Sequence, residues 1–432
     1  KNCCSSNYIS GSDNYFNKNL IFMMKKKFID FMTSEETSGE VEGIFSEFKK
    51  LFYEVKIGYN HALLLTNTSN GRKWVSSTNN LKKRRKHLEG VLKDKNRKRG
   101  WYEPWVIAFG NLGDDIIDKV NFQKIAKKYG TPTYCYSYSR LKENILNFKK
   151  NFKSISPLIC FAVKSNTNVN LINEISKFGF GADVVSVGEM MMALKAGISP
   201  KKIVFSGVGK TTNEISYAID KKILLINAES KSEVVEINRV ARQKNKIVKI
   251  GLRLNPNTDA KTLSQISTGK KENKFGVNEK TFYEIIDYCK SSQNINLNCL
   301  SVHIGSQILD HKPYEKMLKV VDNILKKTSH EFEYIDLGGG MGISYTDKNK
   351  KLNYKKYNLA IKKFLKNKKC KIIFEPGRSI IGNSGTLLTK VIYIKDSESK
   401  KFIILDAAMN DLMRPALYGA VHKTLPVIKS GK

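Results

Sequence analysis

From about residue 105 onward the chain alternates short apolar runs with longer amphipathic stretches. The apolar runs fall at Leu158–Val163, Ala182–Val185, Lys202–Phe205, Ile223–Ile226, Val248–Leu254, Leu297–Ile304, Phe332–Leu337 and Lys371–Phe374. They are short and rich in β-branched and aromatic side chains, and each reads as a buried strand. Helical spacing separates them around Leu171–Phe178, Gly188–Ala196, Thr212–Ile219, Ser232–Arg242, Glu279–Cys289, Tyr314–Lys327 and Tyr354–Leu365. In the stretch from Tyr314, the residues Met317, Val321, Ile324 and Leu325 share one face at 3–4 spacing. Eight strands alternating with helices predict an α/β fold, a (β/α)8 TIM-type barrel. A doubly wound open sheet is the competing architecture, and the absence of a glycine-rich turn after the first strand weighs against it.

The flanks differ. Val120–Tyr129 carries helical apolar spacing at Val120, Ile125 and Ala126 and is stopped by Gly130-Thr131-Pro132. Thr133–Ser137 then reads as a strand, and a helix follows through Leu141, Ile145 and Phe148. Beyond Glu375, Leu387–Ile394 and Lys401–Leu405 read as two strands with no helix between them, the start of a β-domain that the strand near Thr133 is expected to join. The expected division is therefore an unassigned basic leader over 1–105, an approach segment with its strand over 106–137, the barrel over 138–378, and an incomplete, discontinuous C-terminal β-domain over 379–432.

Barrel enzymes carry their chemistry at the C-terminal ends of the strands. Lys164 closes the first strand, followed by polar Ser165 and Asn166. Desolvation at such a position can strip a lysine of its charge and leave a nucleophilic amine, as carbonyl chemistry requires. The other ends bring Asp183 with Ser186, Ser206-Gly207, Asn227 with Glu229, Arg253 with Asn255, His303 with Ser306, Gly338-Gly339-Gly340, and Glu375-Pro376-Gly377-Arg378 to the same rim. Glycines after the seventh strand let backbone N–H groups close around an anion, and Arg378 after the eighth reaches that corner, where barrels often hold phosphate. A lysine, a phosphate cradle and a carboxylate on one rim point to pyridoxal 5'-phosphate. Lys164 would bond its aldehyde, and Glu375 would hold its ring nitrogen protonated. His303 is placed either to lie flat against the ring or to serve as a hydrogen-bonded core histidine.

Composition removes some alternatives. With 41% hydrophobic residues in 432, the chain can build a sizeable core. The net charge of +35 is spread along the whole length, unlike the one-sided patch of a nucleic-acid binder. The dense run Leu81–Gly100 lacks interleaved aromatics and reads as a solvated leader. The seven cysteines, at 3, 4, 135, 160, 289, 299 and 370, form no Cys-x-x-Cys pair and no metal-like spacing with histidine. This argues for a reducing compartment, no zinc and a cytoplasmic location. No apolar run approaches the ~20 residues needed to cross a bilayer, and Leu20–Met24 is too short for a signal-peptide core.

The motifs FAVKSN (161–166), GFGADVVSVGE (179–189), FSGVGKT (205–211), STGKKENKFG (267–276), HIGSQI (303–308), IDLGGGMGI (335–343), EPGRSI (375–380) and DAAMNDLMRPALYGA (406–420) together resemble the diaminopimelate decarboxylase family. This is a member of the alanine-racemase-like, pyridoxal-phosphate-dependent decarboxylases, and the resemblance runs from roughly Asn121 to the C-terminus. It implies conversion of meso-2,6-diaminopimelate to L-lysine and CO2, the last step of lysine biosynthesis, in a homodimer with shared active sites. It implies cofactor attachment at Lys164 and cofactor contacts from Asp183, His303 (stacked on the ring), Ser306, Gly338, Gly339, Gly340, Glu375, Pro376, Gly377 and Arg378. Arg378, Arg414 and Tyr418 would hold substrate, and the spacing of four between the last two suits one helical turn. Sister decarboxylases for ornithine, arginine or carboxynorspermidine are the alternative activity, with RPALYG and STGKKENKFG favouring diaminopimelate.

The sequence also departs from the family pattern. It ends at Lys432, before a Cys-Glu-Ser motif and a later Asp-x-Gly-Ala-Tyr motif that supply the family's proton donor and further contacts. A cofactor-binding but poorly active or non-catalytic, poorly soluble chain is the corresponding expectation. The leader has no recognised counterpart, and Thr262–Gln265 (TLSQ) replaces a histidine-proline pair found in many relatives.

Overall fold

The computed structural model describes residues 121–260, 268–269, 274–345 and 351–427, and the backbone of 55–59, 62–66, 73–77, 106–110, 116–117 and 120. Leu20–Met24, the run Leu81–Gly100 and Thr262–Gln265 lie outside the described residues. The chain divides into two compact units, 1–101 and 102–432. In the first, β1 (Val55–Tyr59), β2 (Ala62–Thr66) and β3 (Lys73–Ser77) form an antiparallel sheet in the order β1-β2-β3.

The second unit opens with β4 (Val106–Gly110) and the short antiparallel pair β5 (Ile116–Ile117) and β6 (Val120–Asn121). Helix α1 (Phe122–Tyr129) follows, capped by the Asn121 side chain accepting from Gln123 N at 2.8 Å. Val120 thus lies in a strand, and the residue that α1 buries is Phe122. The apolar spacing that suggested a helix from Val120 runs across the cap. Next come β7 (Thr133–Tyr136) and α2 (Tyr138–Phe152), which buries Leu141, Ile145, Phe148 and Phe152 at helical spacing.

Eight parallel strands then close a barrel. They are β8 (Leu158–Ala162), β9 (Gly181–Val184), β10 (Ile203–Phe205), β11 (Leu225–Ala228), β12 (Val248–Arg253), β13 (Ile295–Ser301), β14 (Tyr334–Asp336) and β15 (Lys371–Phe374). Each strand pairs with the next in sequence, and β15 returns to β8 through Ile373↔Leu158 and Phe374↔Ile159. The expected (β/α)8 barrel is the observed one, and the open sheet is excluded by that closure. The linking helices are α3 (Val169–Ser176), α4 (Val187–Lys195), α5 (Thr212–Lys221), α6 (Lys231–Gln243), α7 (Glu279–Lys290), α8 (Lys312–Lys327) and α9 (Tyr354–Leu365). Most begin on a Ser, Thr or Asn cap, with a full capping box between Thr211 and Glu214 at α5.

The short helix α10 (Arg378–Ile381) leads out of the barrel into the long strand β16 (Gly385–Asp396) and then β17 (Lys401–Leu405). Helix α11 (Arg414–Tyr418) and β18 (Thr424–Pro426) complete the described chain. β4, β7 and β17 all pair antiparallel with β16, and β18 pairs with β4. Asp406 ties this sheet to its neighbours by accepting from the Thr131 hydroxyl at 2.6 Å and the Thr389 hydroxyl at 2.7 Å.

The main core lies between the barrel wall and its helices. A second, smaller cluster of Cys160, Val204, Leu225, Cys299 and Ile373 fills the barrel interior, one residue from each of five strands. Cys135, Cys160, Cys289, Cys299 and Cys370 are free thiols. Among the described residues no helix is long and apolar enough to cross a membrane, and no group of His, Cys, Asp and Glu could hold a metal ion.

Candidate active site

The strand ends build a site with two chemically different sides. On one side, Lys164 sits in a single helical turn, residues 163–165, that follows β8, and its Nζ lies 2.7 Å from Asp183 Oδ2 of β9. Asp183 is fully buried, while the Lys164 side chain keeps 49% of its surface open at the rim. Burial alone would pull the lysine's pKa down, but Asp183 and Glu375 outweigh it, and the net shift is upward. Lys164 is therefore held charged in the free protein. The expectation of a lysine neutralised by desolvation is corrected, because a buried carboxylate from the next strand stands against it.

Beneath this pair lies a network of buried polar groups. Asp336, the last residue of β14, accepts from Asn227 Nδ2 at 3.0 Å, from Ser301 Oγ at 3.1 Å and from Gly338 N at 2.9 Å. It also shares a hydrogen bond with Glu375. Ser206 Oγ reaches Glu375 Oε1 at 3.3 Å. Burial, with Asp183 and Asp336 close by, pushes the Glu375 carboxyl well above the usual carboxylate range and so favours its protonated form. Asp336 is shifted upward as well, first by burial. Arg253 pairs with buried Glu229 at 3.1 Å, and Ser186 serves as the cap of α4.

The other side is a glycine and arginine corner. Gly338 (φ +63°) passes so close to His303 that a Cβ would lie 2.6 Å from the ring Nδ1. Only glycine suits both that backbone angle and that approach. Gly339 N donates to His303 Nδ1 at 3.2 Å, which places the ring proton on Nε2. Burial first, then Arg253 and Lys164, lowers the His303 pKa well below its ordinary value, and the imidazole is neutral. Two of the three glycine amides expected to face an anion are thus committed, one to Asp336 and one to His303. Arg378 Nη2 donates to Ser306 Oγ at 3.2 Å, and its Nη1 donates to the Tyr345 hydroxyl. Pro376 and Gly377 join the rim through the backbone. Pro376 O accepts from Ala162 N at 3.2 Å, and a Cβ at Gly377 would meet Ser165 at 3.0 Å.

Arg414 and Tyr418 face one another across α11, with the guanidinium 5.8 Å from the ring centroid. Tyr345 joins them to the glycine corner, because its ring lies 5.2 Å from the Arg414 guanidinium and 5.9 Å from that of Arg378. Reading the strand ends missed both Tyr345 and Asp336. Asp336 had a signal, an acid inside the apolar run FEYIDL; Tyr345 had none beyond lying downstream of the glycines.

This arrangement agrees with known proteins. Residues 138–382 match the family model described as "Pyridoxal-dependent decarboxylase, pyridoxal binding domain". A diaminopimelate decarboxylase of Aquifex aeolicus is 42% identical over 319 residues, 73% of this chain and 75% of that protein. One from Helicobacter pylori strain J99 is 42% identical over 305 residues, 70% of this chain and 75% of that protein. The crystal structure of Helicobacter pylori diaminopimelate decarboxylase complexed with L-lysine superposes with a TM-score of 0.68 at 41% identity, covering 70% of this chain and 77% of that one. The family match spans the barrel and its Lys164–Asp183 pair, and the chain belongs to the diaminopimelate decarboxylases of the pyridoxal-dependent decarboxylase family.

Proposed function

We propose that this chain catalyses the pyridoxal phosphate-dependent decarboxylation of meso-2,6-diaminopimelate, releasing CO2 and leaving L-lysine. One observation carries the reading: a rim-exposed amine, Lys164, contacts a buried carboxylate, Asp183, beside a second buried acid, Glu375, across from an arginine corner. The residues fit the cofactor. Arg378 Nε and Asp183 Oδ1 are buried with no partner among the described residues, one a donor suited to an anion and the other an acceptor beside the amine. The Ser306 hydroxyl lies on the arginine side, bonded to Arg378.

When bound, pyridoxal phosphate supplies an electron sink for the electron pair left by departing CO2. The protein sets the conditions for that chemistry. Lys164 Nζ is the amine that would hold the cofactor through its aldehyde, and it would first have to lose the proton that Asp183 helps it keep. Asp183 Oδ2, 2.7 Å away, is the acceptor in place. His303 offers a flat, neutral face for ring stacking, with its tautomer fixed by Gly339. Glu375 holds a proton for the ring nitrogen. Ser306, Gly340 and Arg378 form the phosphate side, Gly338 and Gly339 shape its loop with their amides committed to Asp336 and His303, and Pro376 and Gly377 fix the backbone between Glu375 and Arg378. Arg378, Arg414 and Tyr418 bind the substrate's distal end, where guanidinium groups suit a second carboxylate. Outward-facing Ile394 and Ile403, both 53% exposed on β16 and β17, support a homodimer that covers this sheet. We assign the enzyme to the cytoplasm, with an amino-acid substrate and no nucleic-acid partner.

The test is direct. The protein is supplied with pyridoxal phosphate and offered meso-diaminopimelate, ornithine, arginine and carboxynorspermidine in turn, with CO2 and the product amine measured. Lysine and CO2 from diaminopimelate are the expected products, and release confined to ornithine would overturn the assignment.

A further inference from the structure

We propose that Asp336 is a positioning residue that fixes the proton held between Glu375 and the cofactor's ring nitrogen. The inference rests on the proposed placement of Glu375 at that nitrogen. Its basis is a donor count. Asp336 Oδ1 accepts from the Gly338 amide at 2.9 Å, and Oδ2 accepts from Asn227 Nδ2 at 3.0 Å and Ser301 Oγ at 3.1 Å. The amide is a donor whatever the side-chain rotamers do, and an ionised carboxylate is acceptor-only. Asp336 is thereby stabilised as the anion, and in its hydrogen bond with Glu375 the proton belongs to Glu375.

A fixed negative charge next to Glu375 disfavours loss of that proton, whether it rests on the carboxyl or has moved to the ring nitrogen. The ring nitrogen then stays protonated to higher pH than Glu375 alone would allow. The geometry also explains why an acid is tolerated there. Asp336 is completely buried at the end of β14, and its surroundings offer three donors. The other titratable groups facing it are Glu375 after β15, Asp183 from β9, Cys160 from β8, Cys299 from β13 and Tyr357 from α9. Burial raises both thiols and the Tyr357 phenol, so all three stay neutral and only Asp183 adds charge; Lys164 answers Asp183.

The experiment uses the protein loaded with cofactor labelled by nitrogen-15 at the pyridine nitrogen, whose chemical shift reports ring protonation as pH is varied. In Asp336→Asn the midpoint for loss of the ring proton is expected to fall by about one pH unit or more. In Ser301→Ala, which removes one donor from the anion and so makes the acid pair hold its proton more tightly, the midpoint is expected to rise. Opposite movements are not produced by a general loss of packing. In Glu375→Gln the ring proton is expected to be lost across the range, and adding Asp336→Asn to it is expected to change nothing further. An unmoved midpoint in both Asp336→Asn and Ser301→Ala, with the Glu375→Gln effect present, overturns the inference alone. An unchanged ring nitrogen in Glu375→Gln overturns the placement of Glu375 itself. If Asp336→Asn does not fold, Ser301→Ala decides. In addition, the protonated-carboxyl infrared band of cofactor-free protein, absent from Glu375→Gln, must titrate at higher pH in Ser301→Ala than in the parent.

Discussion

Replacing Lys164 by Met isolates the contact at the centre of the site. Methionine keeps most of the side chain's length and apolar stem but removes the charge. The Lys164–Asp183 separation of 2.7 Å gives an attraction of about 6 kcal/mol at an effective dielectric near 20. The lysine keeps 49% of its side chain open, so solvent screening roughly halves that figure. Asp183 is left buried with Oδ2 unpaired as well as Oδ1. The net destabilisation of Lys164→Met is therefore about 2–3 kcal/mol, less than the usual cost of breaking a fully buried ion pair. Urea unfolding of cofactor-free parent, Lys164→Met, Asp183→Asn and the double variant at neutral pH gives the pair's coupling by a double-mutant cycle. Removing both charges together is expected to recover most of the loss. Lys164 has its pKa raised on folding, so its contribution is complete below the unfolded value near ~10.4 and is lost as pH rises from there through the folded value. The difference between parent and Lys164→Met should shrink on that alkaline side. A coupling below about 0.5 kcal/mol, or a difference that persists unchanged through that alkaline range, would refute the reasoning.

Two more predictions address the opposite corner. His303 is held neutral with its pKa well below the ordinary value, so its contribution is present above the unfolded pKa near ~6.5 and falls as pH drops below that. The loss is roughly 1.4 kcal/mol per pH unit until the folded ring itself takes a proton. Urea midpoints of parent and His303→Gln compared at neutral and mildly acidic pH should show the parent losing more. Gly338→Ala puts a Cβ 2.6 Å from His303 Nδ1 on a residue with φ +63°. It should cost about 2–4 kcal/mol and weaken cofactor binding. Gly209→Ala, where a Cβ meets nothing within 4 Å, should leave both thermal unfolding and cofactor titration close to the parent's.

The barrel was legible because its signals are local: apolar runs of strand length, helical spacing between them, and a Ser, Thr or Asn at most helix starts. The misplaced boundaries share one cause. Periodicity reports burial rather than strand pairing. Val302 and Ile304 are fully buried, yet β13 ends at Ser301 and the chain bends away to deliver His303. Asn227 lies inside β11, not beyond it, because its amide is spent on Asp336 in the barrel interior. The same concealment hid Asp336, whose acidity argued against a buried strand although three donors make burial tolerable. β4 escaped notice because its partner, β16, lies on the far side of the whole barrel in sequence. The charge state of Lys164 was misjudged for a related reason: a strand end is local, but the carboxylate that decides its proton comes from a neighbouring strand.

The site's electrostatics follow from that same cluster and not from the chain's overall charge. A net charge of +35 is large, but at physiological salt a charge beyond about 8 Å contributes little through solvent. Inside the barrel mouth the sign is set by immediate neighbours. On one side, the acids Asp183, Asp336 and Glu375 cluster beside Lys164; on the other, Arg378 and Arg414 flank Tyr345. An amphoteric ligand with a phosphate at one end and a basic ring nitrogen at the other has one favourable orientation in such a field. Reversing it would set phosphate against buried carboxylates and the ring nitrogen against guanidinium groups. In the proposed placement each side would therefore orient the cofactor, and the chemistry proposed at Lys164 would depend on Arg378 even where the two side chains do not touch.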